Sequence, residues 1–329
     1  MKRFARISGI LAIVIVVGIA GFLAYYFSRY PDAGPVPQIT VERTPERIAR
    51  GKYLANHVTV CIDCHSTRDW SRFSGPPVAG TEGKGGFRVD EEMGFPGVIY
   101  ALNITPAALS PMSDGELLHA IAGGIRKDGS ALFPLMPYLG YRELSREDLY
   151  SVIAYVRSLP PIENTIPARS LNFPLSLIVR SIPSPYTITD APDTSTPVKR
   201  GKYLATAASC RECHTPQEKG EFLPGMDFAG GEEFRFPDGT VRSANITPDE
   251  ETGIGSWTKE LFLAKFKAYE HPDSALLDPK SIGYNSPMPW TMYAGMTDRD
   301  LEAIFAYLAT VPPVKNPFER FTPINQAPR

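Results

Sequence analysis

Four cysteines, two histidines and a repeated spacing carry the chemistry legible in this chain. Cys61-Ile62-Asp63-Cys64-His65 recurs 149 residues later as Cys210-Arg211-Glu212-Cys213-His214, and the two runs use all 4 cysteines of the sequence. On a helical turn, positions i, i+3 and i+4 share one face, so two thiols and an imidazole can meet one planar ligand. This is the attachment pattern of a c-type haem, with the thiols on its vinyl groups and His65 or His214 on the iron. A thioredoxin-like redox pair or half of a zinc site would each suit a single copy. Two copies, each followed directly by histidine, favour two covalently bound haem c groups.

A haem held by one histidine has a second axial position, and its occupant decides the chemistry. Met136-Pro137 and Met288-Pro289 correspond at an offset of 152, lying 71 and 74 residues after His65 and His214. A soft thioether suits haem iron and raises its potential. A lone methionine is ordinarily core filler, but a matched pair favours ligation. Met93, Met112, Met226, Met292 and Met296 have no counterpart in register. His57 falls opposite Ala207 and His119 near Leu263, so both read as surface or core histidines, and His271 lies in an insertion at 271–286. The expected ligand sets are therefore His65 with Met136 and His214 with Met288. Cys61, Cys64, Cys210 and Cys213 are the attachment points, and no catalytic residue is expected.

The elements that must position these groups are also repeated. The 329 residues allow two domains with separate cores, and a net charge of −2 gives no reason to expect nucleic acid. The 32 prolines, roughly twice average usage, point to much extended loop. Arg-Gly-Lys-Tyr-Leu-Ala occurs at 50–55 and 200–205, each time in a helix expected to lead into the cysteines. Ala79-Gly80 matches Ala229-Gly230 at 150, and Asn103-Ile104-Thr105-Pro106 matches Asn245-Ile246-Thr247-Pro248 at 142. Between those points the first half should carry about eight extra residues, in turns or a short hairpin. Amphipathic segments follow near 113–125 and 257–267.

Each half closes on a helix. Ser145 with Asp148, and Thr297 with Asp300, stand in the capping-box arrangement. Leu149, Val152, Ile153 and Val156 form one apolar stripe; Leu301, Ile304, Phe305 and Leu308 form the other, and Pro160-Pro161 and Pro312-Pro313 stop the two helices. The pattern is that of an internal duplication, with halves at 45–162 and 197–316, a linker at 163–196 and a tail at 317–329.

At the N-terminus Lys2, Arg3 and Arg6 precede 21 residues of apolar run, about 31 Å of helix. Tyr25-Tyr26-Phe27 stands where a cleavage site would need small residues, so 1–29 reads as an uncleaved signal anchor rather than a cleaved signal peptide. Residues 30–44 read as a proline-rich stalk. In the linker, Leu175-Ser176-Leu177-Ile178-Val179 is too short to span a bilayer. It either packs on the two halves or docks a partner subunit or the membrane surface.

Together these pieces resemble class I cytochrome c domains, as found in the cytochrome c subunits of membrane-bound periplasmic alcohol, gluconate and aldehyde dehydrogenases. The resemblance is carried by Arg-Gly-Lys-Tyr-Leu-Ala, the Cys-x-x-Cys-His runs, the stretch from Asn245 through Gly253-Ile254-Gly255 to Trp257, and Met136-Pro137-Tyr138 with Met288-Pro289-Trp290. It implies a mainly α fold: a tandem duplication of two class I cytochrome c domains preceded by one N-terminal transmembrane helix. It also implies an electron-transfer protein rather than an enzyme. Electrons would pass from a dehydrogenase or quinol-oxidising complex to a soluble cytochrome or terminal oxidase. The chain would be single-pass in a bacterial cytoplasmic membrane, with its haem domains on the periplasmic side. A dihaem peroxidase is the alternative and needs an open iron. The sequence departs from those subunits in having two motifs where three are usual and an apolar run at the N-terminus rather than the C-terminus. Residues 107–112 also lack the Gly-Ile-Gly-x-Trp pattern.

Overall fold

Threonine caps and first-turn prolines start the two helices that lead into the cysteines. Thr44 Oγ1 accepts from the Arg47 N–H ahead of helix Pro45–Tyr53, and Thr196 Oγ1 accepts from the Lys199 N–H ahead of Pro197–Ala207. The structure, a computed structural model, describes residues 2–271 and 273–324. It is mainly helical. Each leading helix crosses the closing helix of its own half, Arg146–Ser158 or Asp298–Leu308. Glycine permits the crossing: a Cβ at Gly51 would lie 1.8 Å from the Ser151 carbonyl oxygen, and one at Gly201 1.8 Å from that of Ala303. Leu54, Leu149 and Ile153 are buried around the first crossing and Leu204, Leu301 and Leu308 around the second, within one continuous core cluster.

The glycine-rich regions form small antiparallel sheets. Gly97–Tyr100 is the middle strand between Arg88–Val89 and Ser170–Leu171, with Val98 opposite Ser170. Gly239–Arg242 is likewise the middle strand between Glu233–Phe236 and Phe321–Pro323, with Val241 opposite Phe234 and Phe321. Residues read as linker and tail thus return to complete each sheet. Asn164 Nδ2 donates to Lys84 O at 2.9 Å, and Asn316 Nδ2 donates to Gly230 O at 3.2 Å, fixing the two returns alike.

Two expectations need correction. Residues 30–44 are not a free stalk. Ala33 and Val41 are each only 4% exposed, the Val41 N–H donates to Asp114 at 2.8 Å, and a Cβ on Gly115 would meet the Pro37 carbonyl oxygen at 1.7 Å. Nor is Gly80 the partner of Gly230: the Gly230 N–H donates to His214 O at 2.7 Å, and in the first half Gly85 does this to His65 O at 2.8 Å. The matched Ala-Gly dipeptide is a local coincidence. Four of the extra residues therefore lie between His65 and Gly85, in a loop that meets the second half.

Across the junction the halves exchange tyrosines. Tyr53 Oη donates to Asp300 at 2.6 Å and accepts from the Thr297 N–H at 3.2 Å. Tyr203 Oη donates to Asp148 at 2.6 Å and accepts from the Ser145 N–H at 3.1 Å. Each aspartate also takes an arginine of its own half, Arg50 to Asp148 at 2.8 Å and Arg200 to Asp300 at 2.7 Å. The expected capping boxes are thus half formed. Ser145 and Thr297 cap as expected, but the third-position carboxylates leave the N-cap amides to a tyrosine from the opposite half.

Helix Lys2–Arg29 stands apart from this core. Residues Arg3–Arg29 are long and apolar enough to cross a membrane, and none of the most apolar stretch is buried in the protein.

Candidate functional site

Both cysteine turns begin on a residue in the left-handed region, Val60 at φ 44° and Ser209 at φ 54°. For the β-branched Val60 this is an uncommon and strained conformation. It turns the chain sharply from the leading helix into Cys61–Cys64, as Ser209 does into Cys210–His214. No cysteine is in a disulfide; Cys64 and Cys213 are exposed, Cys61 and Cys210 half-buried.

The histidines are held by backbone. His65 Nδ1 lies 2.6 Å from Leu102 O and His214 Nδ1 lies 2.7 Å from Ala244 O. A carbonyl can only accept, so Nδ1 carries the proton and Nε2 keeps its lone pair for a metal. Desolvation lowers both imidazoles, His214 to about 4, which keeps them neutral. The repeated Asn-Ile-Thr-Pro explains how the two carbonyls are aimed. Asn103 accepts from the Thr105 N–H at 2.9 Å and hydroxyl at 2.7 Å while donating to Ile162 O at 2.7 Å. Asn245 makes the same three bonds at the same distances with Thr247 and Val314 O. Each asparagine immediately follows the carbonyl that orients its histidine. The sequence showed this repeat; its role needed the fold.

Met136 and Met288 lie partly buried against the core, each just before a short helix, Tyr138–Tyr141 or Trp290–Tyr293. Tyr141 Oη donates to Thr59 O at 2.7 Å and Tyr293 Oη to Ala208 O at 2.7 Å, tying each methionine loop to the backbone just ahead of its own cysteine turn. Met288 has a further support from the first half. Ser74, buried at φ 70°, donates to Met288 O at 2.6 Å and accepts from the Trp290 N–H at 3.0 Å. Asn285, from the second half's insertion, accepts from the Ser74 N–H at 2.9 Å.

The remaining histidines are engaged elsewhere. His57 Nδ1 lies 2.8 Å from Met292 O at the junction, His119 is buried beside Tyr186, and His271 is exposed.

These residues fit a large planar group at each turn. Cys64 and Cys213 reach the surface while Cys61 and Cys210 are half-buried, so each pair borders open space on one side. Buried polar atoms without a partner, Ser209 Oγ, Glu212 Oε2, Thr291 Oγ1 and Tyr138 Oη, lie within a few residues of the cysteine turns or the candidate methionines. Zinc fits poorly, because no cluster of three or more His, Cys, Asp or Glu suits a metal ion among the described residues. The two sites also meet at the junction: a Cβ on Gly140, in the helix after Met136, would lie 3.9 Å from Glu212 Oε1 of the second cysteine turn, and His57, ahead of the first turn, reaches Met292 O in the helix after Met288.

Residues 198–312 match the cytochrome c family model, so the chain contains a cytochrome c domain. More particularly, it is similar to cytochrome subunits of dehydrogenases. It is 29% identical over 298 residues to an "Alcohol dehydrogenase (quinone), cytochrome c subunit" of Gluconacetobacter polyoxogenes, covering 86% of this chain and 59% of that one. It is 29% identical over 285 residues to a "Fructose dehydrogenase cytochrome subunit" of Gluconobacter japonicus, covering 80% of this chain and 52% of that one. A "Gluconate 2-dehydrogenase cytochrome c subunit" of Pantoea cypripedii is 39% identical over 110 residues, 33% of this chain and 22% of its own. The chain thus spans little more than half the length of the first two relatives. The resemblance carried by the motifs is borne out.

Proposed function

We propose that this chain is a tandem duplication of two cytochrome c domains, an anchored dihaem cytochrome relaying electrons from a dehydrogenase or quinol-oxidising complex to a downstream cytochrome or terminal oxidase. Haem bound at each turn would supply a one-electron couple. Cys61 with Cys64, and Cys210 with Cys213, would anchor it; His65 with Met136, and His214 with Met288, would ligate its iron. Leu102 O and Ala244 O hold each imidazole in its ligating tautomer. Tyr141 and Tyr293 keep each methionine loop in place. Four protein ligands for two irons leave no site for a substrate, which favours a relay over a peroxidase.

The observation that carries the relay is the closeness of the two sites: Glu212 Oε1 of the second cysteine turn lies 3.9 Å from where a Cβ on Gly140 would stand, in the short helix that follows Met136. The names of the similar proteins support a dehydrogenase as partner. Leu135 and Leu139, 54% and 42% exposed on either side of Met136-Pro137, offer that partner an apolar contact. Lys2, Arg3 and Arg6 would hold the start of the Lys2–Arg29 helix in the cytoplasm and place both halves on the periplasmic side. Haem quantified per chain as the pyridine haemochrome tests the reading. Two per chain are expected; one overturns the duplication as a functional unit, and substantial peroxide turnover by the reduced protein favours the peroxidase.

A further inference from the structure

Helix Leu175–Ser181 leaves part of its apolar surface outward. Val179 is buried, whereas Ile178 is 50% exposed and Phe173, just before the helix, is 80% exposed, the most exposed large apolar side chain among the described residues that follow the N-terminal helix. An apolar patch of this kind calls for a cover. Its neighbour identifies one. Tyr26 Oη donates to Leu177 O at 2.6 Å, Arg180 donates to Tyr30 O, and the Arg180 guanidinium stands 5.0 Å from the centre of the Phe27 ring. Tyr26 and Phe27 end the apolar run of Lys2–Arg29, the level where aromatic side chains meet the headgroups of a spanned bilayer. A segment bonded to Tyr26 is therefore at that level too. No slack separates it from the rest, because 30–44 is packed along the first half from Ala33 to Val41. Arg169 and Arg180 flank Phe173 in sequence, Arg169 with its guanidinium on Ala131 O, and Glu91 is occupied by Asn172 at 2.9 Å. The arginines give the patch a basic rim suited to lipid phosphates.

We propose that Phe173 and helix Leu175–Ser181 make a second contact with the bilayer, seating Phe173 and Ile178 at the headgroup–acyl boundary beside the emerging Lys2–Arg29 helix. The proposal rests on the reading of Lys2–Arg29 as an anchor. It fixes the first half against the lipid surface instead of on a tether.

In the holoprotein the four native cysteines are thioether-bonded, so one introduced cysteine can be spin-labelled alone. The full holoprotein carrying Phe173→Cys, Ile178→Cys, Val16→Cys or Lys219→Cys is labelled with a nitroxide in vesicles of phosphatidylethanolamine and phosphatidylglycerol. Collision with oxygen is then compared with collision with a water-soluble nickel chelate. At 173, 178 and 16 oxygen should dominate several-fold; at the fully exposed 219 the ratio should invert. An aqueous ratio at 173 and 178 with a lipid ratio at 16 overturns the second contact and spares the anchor. An aqueous ratio at 16 overturns the anchor and the proposal with it. Protection at 173 from both reagents means a protein cover and also overturns the proposal.

Discussion

Tyr53 of the first half and Asp300 of the second are joined by a 2.6 Å hydrogen bond across 247 residues of sequence, and Tyr203 with Asp148 repeats the bond in reverse. The identity of Arg-Gly-Lys-Tyr-Leu-Ala in the two halves has its cause here. Arginine holds its own half's aspartate, glycine admits the closing helix, and tyrosine reaches the aspartate of the other half. The exchange joins each leading helix to the start of the other half's closing helix.

Removing one tyrosine hydroxyl should loosen the junction without exposing a bare charge. Asp300 keeps Arg200 in Tyr53→Phe, so a loss of about 1.5 kcal/mol is expected in urea unfolding followed by circular dichroism. Tyr203→Phe should cost a similar amount. Asp300→Asn should cost more, about 3 kcal/mol, because Arg200 then loses its partner. Equal and negligible effects from all three would show that the exchange contributes nothing to stability.

The glycines of the motif are tests of helix crossing. Gly51→Ala and Gly201→Ala each force a methyl to within 1.8 Å of a backbone oxygen. Overpacking on this scale should cost about 3 kcal/mol, read as a lowered denaturation midpoint. A neutral outcome would mean that the helices separate freely.

Burial, with the Asp300 carboxylate adding to it, raises Tyr53 from its usual 10 to about 12. The folded value exceeds the unfolded one, and the neutral hydroxyl is the donor. Its contribution is therefore intact below about pH 10 and lost as pH rises through about 12. The stability gap between the wild type and Tyr53→Phe should be flat up to pH 10 and then shrink. Tyrosinate absorbance should show one late-titrating tyrosine fewer in the variant.

Ser74→Ala removes the two hydrogen bonds that its hydroxyl makes with the Met288 loop. The visible band of thioether bound to iron should weaken for one centre and persist for the other. Met288→Ala should abolish that same half of the band and Met136→Ala the opposite half. If Ser74→Ala and Met136→Ala affect the same half, the assignment of Ser74 is wrong.

The sequence was most legible where one residue type has one physical use. Proline, threonine and serine at helix starts, leucine and isoleucine stripes, and the cysteine spacing all placed elements that the structure contains. It was least legible where a side chain leaves its own half. Tyr53 reads as one more buried aromatic, since hydropathy reports burial without naming a partner. Asp148 reads as a capping residue, although its carboxylate serves Arg50 and Tyr203. The third strand Phe321–Pro323 escaped notice because three residues carry no period. Residues 30–44 read as a stalk because a chain held by Val41, Ala33 and the backbone of Pro37 shows no apolar pattern. Ser74 had no sequence signal at all: it acts through a left-handed backbone in a loop four residues longer than its counterpart in the second half.

The proposed relay requires that centres held at the two cysteine turns exchange electrons within one molecule. Pulsed one-electron reduction of the holoprotein, followed in the visible spectrum, tests it most directly. The centres are expected to equilibrate in a first-order step whose rate does not depend on protein concentration and which is absent after Cys61→Ala with Cys64→Ala. Equilibration whose rate rises in proportion to protein concentration would contradict it, because the electrons would then be passing between molecules.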